Sequence, residues 1–500
     1  MNRTSPLVYA CAHALAFTLA VPFGASAQQS ASSTTPSSAA PAPQTTIVAA
    51  AQSSAAQSSA AQSSTAQSSA AQQSAQPAAQ VTPAAPTLPL PNRVNSHMPA
   101  WLRLRGEFRE RLEGVENLTF NDSRDDTYWL SRFRFNAAVT PSKKLGFLVQ
   151  VQDARVGKKE LAPTSTAPFR APFDLRMAYA DIGATTGPIT IRAGRQELAY
   201  GDQRLVGHVS WLNSARTFDG GKLTLRSKGL SLDTFYSSVV RIMQDEFDKS
   251  GAGNRFAGAY LTSALIPKGS FEPYYFYRRD VNVVGEVGVV GKLNSSTLGF
   301  RTVGRLPASL DYNVEMALQR GDLDTNDVTA WAGHWQLRES LTGSWTPKII
   351  GEYNYASGDK DPTDGKRQTF DQLYPTPHDK YGLADQVGWK NLHHVRAGFE
   401  ITPLKGMPIT TNYHSWWLAE KRDALYNVAS VPIARIITGA ADSHVGQEID
   451  VQVSKAIFPQ LQVAAGYAHI FTGAFLKEAT PGASYSHPYI QATYVFLADK

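Results

Sequence analysis

The chain lacks thiols almost completely. Of its 500 residues only Cys11 is a cysteine, and that residue falls inside a predicted leader. A disulfide scaffold, a thiolate zinc site and a cysteine nucleophile are therefore excluded from the rest of the protein. Long apolar runs are missing as well. Beyond residue 27 there is no stretch of about 18 apolar residues, which excludes a membrane protein built from helices.

Charge is absent from a long N-terminal region. Residues 28–92 contain no Lys, Arg, Asp or Glu and consist almost entirely of Ala, Ser, Gln, Pro and Thr. This composition cannot bury enough apolar surface to offset chain entropy, so the region is predicted to be a disordered tether. Its role is either that of a plain spacer or that of a contact with the cell wall or a partner. Residues 1–27 are predicted to be a signal peptide, because Arg3 precedes an apolar stretch and a small-residue cleavage sequence.

The remaining residues, 93–500, show a two-residue hydrophobic period. For example, Phe133 and Phe135 alternate with Arg132 and Arg134. A strand places alternating residues on opposite faces, whereas a helix would distribute them around its axis. About eighteen segments of about 8–13 residues carry this pattern, and their length suits tilted strands that cross a membrane.

The connections between these segments alternate between short and long. The short set includes 140–144, 227–228 and 456–459, and the long set includes 196–216, 279–293, 321–327 and 357–391. A soluble sandwich has no reason to sort its loops in this way, whereas an outer-membrane barrel has short turns on one side and long loops on the other. The predicted fold class is all-β. It is a transmembrane antiparallel β-barrel of about 18 strands, preceded by the signal peptide and the tether.

The polar face of this barrel is predicted to line a water-filled lumen, because the apolar face of so large a closed sheet must meet lipid. Arginine dominates the cations of the polar face, and it binds carboxylates bidentately without losing its charge. Rings of such residues select for anions. The predicted lumen path contains Arg103, Arg105, Arg109, Arg132, Arg134, Arg176, Arg192, Arg301, Arg305, Arg338 and Arg396. Glu352 and Glu400 are assigned to the support of a constriction.

Three motifs carry a resemblance to a known family. They are the segment from Gly194 to Gly220, the segment from Glu352 to Asp359, and the hexapeptide Phe370-Asp371-Gln372-Leu373-Tyr374-Pro375. In these motifs the chain resembles the alginate export family, and the resemblance runs from about Trp101 to the C-terminus. It implies a monomeric outer-membrane barrel of about 18 strands that passes an anionic uronate polysaccharide outward through an arginine-rich lumen.

By motif position, the resemblance assigns four residues to the constriction or to its loop support: Arg192, Arg195, Arg204 and Asp202. It implies that Gly201 and the pair Gly220-Gly221 allow tight backbone. Three features depart from the family pattern. The tether is additional, the turn at 456–459 is short where family members can fold a long turn into the lumen, and the last aromatic residue, Phe496, stands four residues before the end.

Enzymatic and metal chemistry have weaker support. His208, Ser210 and Asp219 occur in one segment, but the sequence does not show the shared geometry that a nucleophile, a base and an acid require. His393 and His394 fall on opposite faces of a strand and so cannot share one metal ion.

Acidic residues cluster in the long 357–391 connection, where carboxylates are potential Ca²⁺ ligands. No loop with the Asp-x-Asp-x-Asp-Gly pattern follows, so a solvated loop is favoured. The residues concerned are Asp359, Asp361, Asp364, Asp371, Asp379 and Asp385. Nucleic-acid binding is disfavoured, because the basic residues are dispersed at strand period rather than clustered on one surface.

Two functions remain as hypotheses. One is an outer-membrane channel that exports an anionic polysaccharide, and the other is an uptake porin for small carboxylates or oligosaccharides. The predicted partners are an anionic polymer or solute, outer-membrane lipid and periplasmic secretion components. No cofactor and no metal are predicted, and the expected location is the bacterial outer membrane.

Overall fold

The computed structural model describes residues 90–162, 168–244, 246–285 and 288–497. The predicted signal peptide, and the predicted tether up to residue 89, lie outside these residues. Within them, no helix is long and apolar enough to span a bilayer.

Eighteen antiparallel strands of the described residues, numbered β1 to β18 in chain order, form one closed sheet. They are Leu102–Val115, Asp126–Ser142, Leu145–Gly157, Ala171–Ile182, Ile189–Gln196, Phe218–Ser227, Leu230–Arg241, Arg255–Ser263, Gly269–Val284, Val290–Arg305, Leu310–Leu323, Asn326–Ser340, Lys348–Ala356, Leu392–Leu404, Met407–Leu418, His444–Phe458, Leu461–Thr472 and Tyr485–Phe496. Each strand pairs with its neighbour in the chain, and β1 pairs with β18 from Gly106–Phe496 to Glu113–Tyr489. The all-β barrel predicted from the sequence is confirmed.

Smaller elements decorate the barrel. Two helices, α1 at Leu90–His97 and α2 at Ala474–Ala479, lie before β1 and between β17 and β18. Short 3₁₀ turns occur at Leu118–Phe120 and Pro307–Ser309. Two-residue strands at Lys249–Ser250 and Lys366–Arg367 extend the main sheet, and Leu425–Tyr426 pairs with Pro432–Ala434 in a separate hairpin.

The two-residue period sets the two faces of the wall. In β2, Trp129 is 44% exposed on the outside, whereas Arg132 and Arg134 are 3% and 6% exposed on the inside. A large buried apolar cluster also lies inside the barrel, where Phe370 and Trp389 from a long loop pack near Trp416 of β15. The barrel therefore has an apolar exterior and a partly filled interior.

Short and long connections lie at opposite ends of the barrel, here named the turn end and the loop end. Two connections predicted to be long are in fact tight, because the strands on both sides extend further than expected. The predicted loop at 279–293 shrinks to 285–289, and the one at 321–327 shrinks to 324–325. In the first case, pairing continues past Asp280 through a bulge to Val283 and Val284. Valines alternating with polar residues favour this extension.

The seam between β1 and β18 is held at the turn end by α1. Strand β18 stops at Phe496, so the backbone of Leu104 in β1 has lost its ladder partner there. The Asn95 side chain takes that place. Its Nδ2 donates to the carbonyl oxygens of Leu104 at 2.7 Å and Leu497 at 2.6 Å, and its Oδ1 accepts from the Leu104 amide at 2.9 Å. One side chain thus completes the ladder where the strand ends.

Replacing Asn95 with Ala should weaken the closed barrel. The change removes three hydrogen bonds and leaves backbone groups without partners, so we expect a loss of roughly 1–3 kcal/mol in unfolding free energy. Denaturant unfolding in detergent micelles, followed by tryptophan fluorescence, measures this difference. Ser96→Ala is the matched control, because the Ser96 hydroxyl is exposed and bonds only within α1. Equal midpoints for the two variants would contradict the role of Asn95.

Candidate permeation pathway

The ladder places most of the predicted arginines on the inner face. These are Arg103, Arg105, Arg109, Arg132, Arg134, Arg176, Arg192, Arg301, Arg305, Arg338 and Arg396. Oppositely charged residues face each other across neighbouring strands in several places. Glu107 lies opposite Arg134, and Glu352 lies opposite Arg396. The predicted polar parity of these strands therefore agrees with the register.

The inner face is strongly basic on one side and nearly balanced in charge on the other. Strands β1 to β6 carry Arg103, Arg105, Arg109, Arg111, Arg132, Arg134, Arg176, Arg192, Lys222 and Arg226, against Glu107, Glu113, Asp174 and Asp181. Strands β9 to β16 carry the carboxylates Glu272, Asp280, Asp311, Glu315, Glu352, Glu400, Glu448 and Asp450, against the cations Arg278, Arg301, Arg305, Arg338, Lys348 and Arg396. A field therefore points across the lumen from one wall to the other.

Arg195 does not lie in the lumen, and its assignment to the constriction is wrong. Its ladder partners are Ala178 and Asp219, and it shares the outer face of β5 with the exposed Ile191. Its Nε donates to Asp219 Oδ1 at 2.8 Å. The physical reason is the period of two, which sends Arg192 inward and the residue three positions later outward.

The 197–217 loop between β5 and β6 folds into the barrel. Most of its residues from Arg204 to Thr217 are buried. Two wall arginines hold its backbone, because Arg109 Nη1 and Arg132 Nη1 both donate to the Ser210 carbonyl, at 2.9 and 2.6 Å. Both side chains also donate to the Leu212 carbonyl. These guanidinium groups therefore act as anchors for a buried segment.

Further wall contacts fix the tip of the same loop. Arg111 donates to the Trp211 carbonyl at 2.9 Å, and its guanidinium lies 3.5 Å from the centre of the Trp211 ring. Asn213 Nδ2 donates to three carbonyls, those of Ser131, Arg155 and Phe169. A buried backbone needs such partners, since each unsatisfied polar group costs about 1–3 kcal/mol.

A second inserted segment, the 357–391 loop between β13 and β14, pairs with the first one. The Tyr374 amide donates to the Leu205 carbonyl at 2.9 Å, and the Gly207 amide donates to the Tyr374 carbonyl at 2.8 Å. Glycine is required at 207, because a Cβ there would lie 2.2 Å from Thr376 Oγ1. The two loops together form a parallel bridge inside the barrel.

Arg204 lies on the 197–217 loop rather than on the wall and joins that loop to β13. Its Nη2 is 3.0 Å from Glu352 Oε1, and both side chains are almost completely buried. Burial opposes the charge of Arg204, but Glu352 and Tyr381 raise the pKa of the guanidinium above its ordinary value. Glu352 also accepts from Arg396 at 3.2 Å. A buried carboxylate needs this number of donors to offset its desolvation.

Asp202 and Glu400, the other carboxylates assigned to the constriction, lie apart from each other. Asp202 is on the 197–217 loop and pairs with Arg301 at 2.6 Å. Burial works against its ionisation, but Arg301 and Arg204 lower the pKa of Asp202 below its ordinary value. Glu400 is nearer the turn end and pairs with Lys348. Asp202 and Glu352 both bind residues of the 197–217 loop or the wall beside it, whereas Glu400 lies away from that loop, and the assignment of these carboxylates to a constriction stays a prediction.

Glu197 begins the same loop and pairs with Arg176. Burial would raise the pKa of Glu197, but Arg176, His208 and Arg134 bring it down to about 2. This carboxylate is therefore charged at neutral pH, and it neutralises part of the basic wall. Arg216, further along the loop, has a pKa lowered to about 9 by burial.

A polar cavity of about 510 Å³ lies between the inserted loop and the turn end. Its lining includes Asp202, Asp233, Glu272, Arg226 and Arg301. Arg301 donates to both Asp202 and Glu272, at 2.6 and 2.9 Å. This cavity is here named the vestibule. Two of its carboxylates, Asp202 and Glu272, are therefore partly neutralised by Arg301 of the wall.

The structure does not assemble a catalytic centre from the candidates found in the sequence. The Asp219 carboxylate binds Arg195 and Ser250 on the outer face, whereas the Ser210 carbonyl is held inside the barrel by arginines. His393 contacts Tyr353 on the outer face and His394 lies on the inner face, as their positions in one strand predict.

The acidic residues of the 357–391 loop do not form a Ca²⁺ cluster in the described part of the chain. Asp371 pairs with Arg278 at 2.6 Å, and Asp385 pairs with His378 at 3.0 Å. Asp361 accepts from Thr363 in a local turn. Their carboxylates serve loop structure in different places.

Sequence reasoning did not predict that the long loops would enter the barrel. A signal was present, however, because residues 198–212 of the first loop contain Leu198, Leu205, Val206, Val209, Trp211 and Leu212. A solvated outer loop has no reason to carry so many apolar residues. Sequence reasoning also missed a chain of buried inner-face histidines, His334, His394 and His414, because an isolated His in a strand carries no signal of its partners.

Comparison with solved structures supports the assignment of the fold. Similar structures include Pseudomonas aeruginosa OccK5 (OpdH), with 11% identity, a TM-score of 0.55 and coverage of 79% of this chain and 98% of that one. Acinetobacter baumannii OccAB2 shows 12% identity and a TM-score of 0.55, with 79% and 98% covered. Pseudomonas aeruginosa OccK2 (OpdF) in complex with glucuronate shows 11% identity and a TM-score of 0.53, with 79% and 96% covered. No curated protein sequence matches the chain.

The closed barrel with charged residues along its inner face is that of a channel protein of the bacterial outer membrane. The family model described as Alginate export matches residues 100–489. The chain belongs to the alginate export family. Both this family and the similar structures consist of channel proteins rather than enzymes.

Loss of the arginine anchors should loosen the 197–217 loop. In the double variant Arg109→Met/Arg132→Met, we expect amide hydrogen exchange in residues 205–216 to be faster by about tenfold or more. The reason is that each hydrogen bond to a charged group contributes about 1.5–3 kcal/mol. Mass spectrometry of exchanged peptides gives the rates. Arg305→Met is the control, because Arg305 pairs with Asp311 in a largely exposed site at the turn end. Unchanged exchange in the double variant would contradict the anchoring role.

Asp359 should make the 357–391 loop sensitive to pH. Burial, with nearby Asp423, raises the pKa of Asp359 to about 6 although the Gln368 amide donates to it. Folding therefore favours the protonated form, and the loop loses stability as pH rises from the ordinary pKa toward and beyond 6. Asp359→Asn should increase exchange protection of residues 357–370 at pH 7.5 and change it little at pH 4.5. A larger gain at pH 4.5 would contradict this sign.

Proposed function

We propose that the chain passes an anionic polysaccharide, an alginate-like polyuronate, across the outer membrane by passive diffusion. The single observation that carries the proposal is the concentration of arginine on the inner face of β1 to β6. A passing carboxylate exchanges part of its hydration for guanidinium donors on this wall, and the carboxylates of the opposite wall keep any one site from binding too tightly. Membership of the alginate export family supports the choice of polymer.

The inserted loops make the proposal more specific. Arg109 and Arg132 hold the 197–217 loop, so they contribute less to the passing polymer than a count of inner-face charges implies. Arg105 is exposed on the inner face near the turn end, and Arg226 lines the vestibule. We infer that these positions meet the polymer first. The short turns, the start of β1 and the end of β18 then face the periplasm, as in other outer-membrane barrels.

A second candidate function has an observation in its favour. One similar solved structure, OccK2 (OpdF), is in complex with glucuronate, which is a monomeric uronate. An uptake porin for small carboxylates would use the same basic wall, and the vestibule of about 510 Å³ is of a size that suits small ligands. The two candidate functions predict different preferred solutes. A polysaccharide channel prefers a chain of linked uronates, and an uptake porin prefers a single uronate.

Charge reversal at Arg105 and Arg226 tests anion selectivity. In a planar bilayer under a salt gradient, the wild-type channel should prefer anions, and Arg105→Glu/Arg226→Glu should shift the reversal potential toward cation preference. Lys143→Glu/Lys144→Glu is the matched control. It makes the same change in total charge at two exposed positions that form the turn between β2 and β3, at the turn end of the barrel. A wild-type channel that prefers cations would overturn the proposal.

Solute length separates the two candidate functions. Oligomers of mannuronate and guluronate should block the wild-type current at lower concentration than monomeric glucuronate, because a linked chain contacts several arginines at once. Uncharged dextran of equal length controls for simple plugging. Block by the monomer alone, with oligomers inactive, would favour the uptake porin and contradict polysaccharide passage.

A further inference from the structure

A histidine and two carboxylates converge on the inner face of β15 and β16. They are His414, Glu448 and Asp450, and their potential ligand atoms all lie within 4.8 Å of one another. His414 Nε2 is 3.0 Å from Asp450 Oδ2, a separation close to that of two ligands on one metal ion. The three residues are at most 1% exposed. They therefore lie close enough together to coordinate one ion.

One oxygen of this group has no partner. Glu448 Oε1 accepts from the Leu383 and Ala384 amides of the 357–391 loop, but the buried Oε2 has no hydrogen bond among the described residues. Gly382 closes over it, since a Cβ at 382 would lie 2.8 Å from Oε2. A buried carboxylate oxygen without a donor is costly, and a cation at this point would remove the cost.

The charges around the group are also unbalanced. Within the described part of the chain, no Lys or Arg forms an ion pair with Glu448 or Asp450. Arg396 is the cation on the neighbouring strand, but it donates to Asn412 and to Glu352 instead. Two adjacent carboxylates are thus left with a single imidazole, and a divalent ion bound between them would offset both charges.

The surroundings of His414 resemble those of a metal-binding histidine. Its second ring nitrogen, Nδ1, lies 2.9 Å from Nε2 of His394, and such a hydrogen bond orients a ligating imidazole. Asn412 Nδ2 donates to Asp450 Oδ1 at 2.8 Å, which leaves the other oxygen directed at His414. The two protein strands therefore position the ligands before any ion arrives.

We propose that His414, Glu448 and Asp450 form a binding site for a divalent transition-metal ion. One imidazole nitrogen and two carboxylate oxygens suit Zn²⁺ or a metal of similar softness better than Ca²⁺, which prefers six or more oxygen ligands. The ion neutralises the pair of carboxylates. Through Glu448 it also ties the backbone at Leu383 to the barrel wall and so holds the 357–391 loop inside the lumen.

Metal analysis of the whole protein tests the site. Untagged full-length protein is extracted, stripped with a chelator in denaturant and refolded in detergent with Zn²⁺, so that a buried site has access to the ion. After desalting, inductively coupled plasma mass spectrometry should find about one Zn²⁺ per barrel. Parallel samples with Mn²⁺ and Ca²⁺ define the class of ion. Retention of Ca²⁺ in place of Zn²⁺ would overturn the assignment to a transition metal.

Variants separate this site from adventitious binding. Glu448→Gln and His414→Gln should each reduce bound Zn²⁺ at least tenfold. Glu400→Gln should not, because Glu400 is an inner-face carboxylate already paired with Lys348. Heat-modifiable mobility on gels verifies that each variant forms a barrel. Equal Zn²⁺ content in wild type and in both site variants would contradict the proposal.

A spectroscopic measurement on the wild type does not depend on the folding of any variant. Zinc-edge X-ray absorption of the loaded protein should show oxygen and nitrogen ligands near 2.0–2.1 Å with the scattering of a single imidazole. Two or more imidazoles in the spectrum, or absence of bound zinc from refolded wild type, would overturn the assignment.

Discussion

The buried backbone of the 197–217 loop depends on hydrogen-bond donors that the barrel wall supplies. A buried segment cannot pair its carbonyls with bulk water as a surface loop does, so these carbonyls need protein partners. Arg109 and Arg132 supply four such bonds to two carbonyls. The residues that pair with the 357–391 loop, the side chain of Arg204 and part of the vestibule lining all belong to this same anchored loop.

The inner-face arginines consequently have three different roles. Some satisfy buried carbonyls, some form ion pairs with carboxylates such as Glu107 and Asp181, and others remain exposed to solvent in the lumen. Formal charge alone does not distinguish these groups. A charge that is compensated by a fixed partner contributes mainly to rigidity, whereas an exposed one contributes to the field that a solute meets.

Much of the barrel could be predicted from the sequence, because a strand repeats every two residues and each wall strand carries the repeat independently. Phe133 and Arg134 show their faces with no knowledge of the rest of the molecule. The inserted loops could not be predicted in this way, because the bonds from Arg109 to Ser210 and Leu212 join segments about a hundred positions apart without any local repeat. Arg195 shows a different kind of error. Its place in a motif suggested a position in the lumen, although its alternation within β5 places it on the outer face.

Contacts between segments that are distant in the sequence also decide where the strands end and the connections begin. A valine run that continues a strand looks like the start of a loop when the turn beyond it carries glycine, as it does after Val284. Local composition decides such boundaries only loosely, and the partner strand decides them in the folded barrel. The buried histidines His394 and His414 illustrate the point at the level of chemistry, because their partners become visible only when the strands are in register.

The hydrogen bonds from the Asn95 side chain to Leu104 and Leu497 have a consequence for the order of folding. Its side chain binds the carbonyl of Leu497, a residue 402 positions later in the chain. A contact of such separation carries a large entropy of chain closure and forms after the local hairpins. The Asn95 side chain therefore cannot make its bond to Leu497 until β18 has joined the sheet. The final step of assembly and the first step of opening are thus expected to occur at the same place, the junction of β1 and β18.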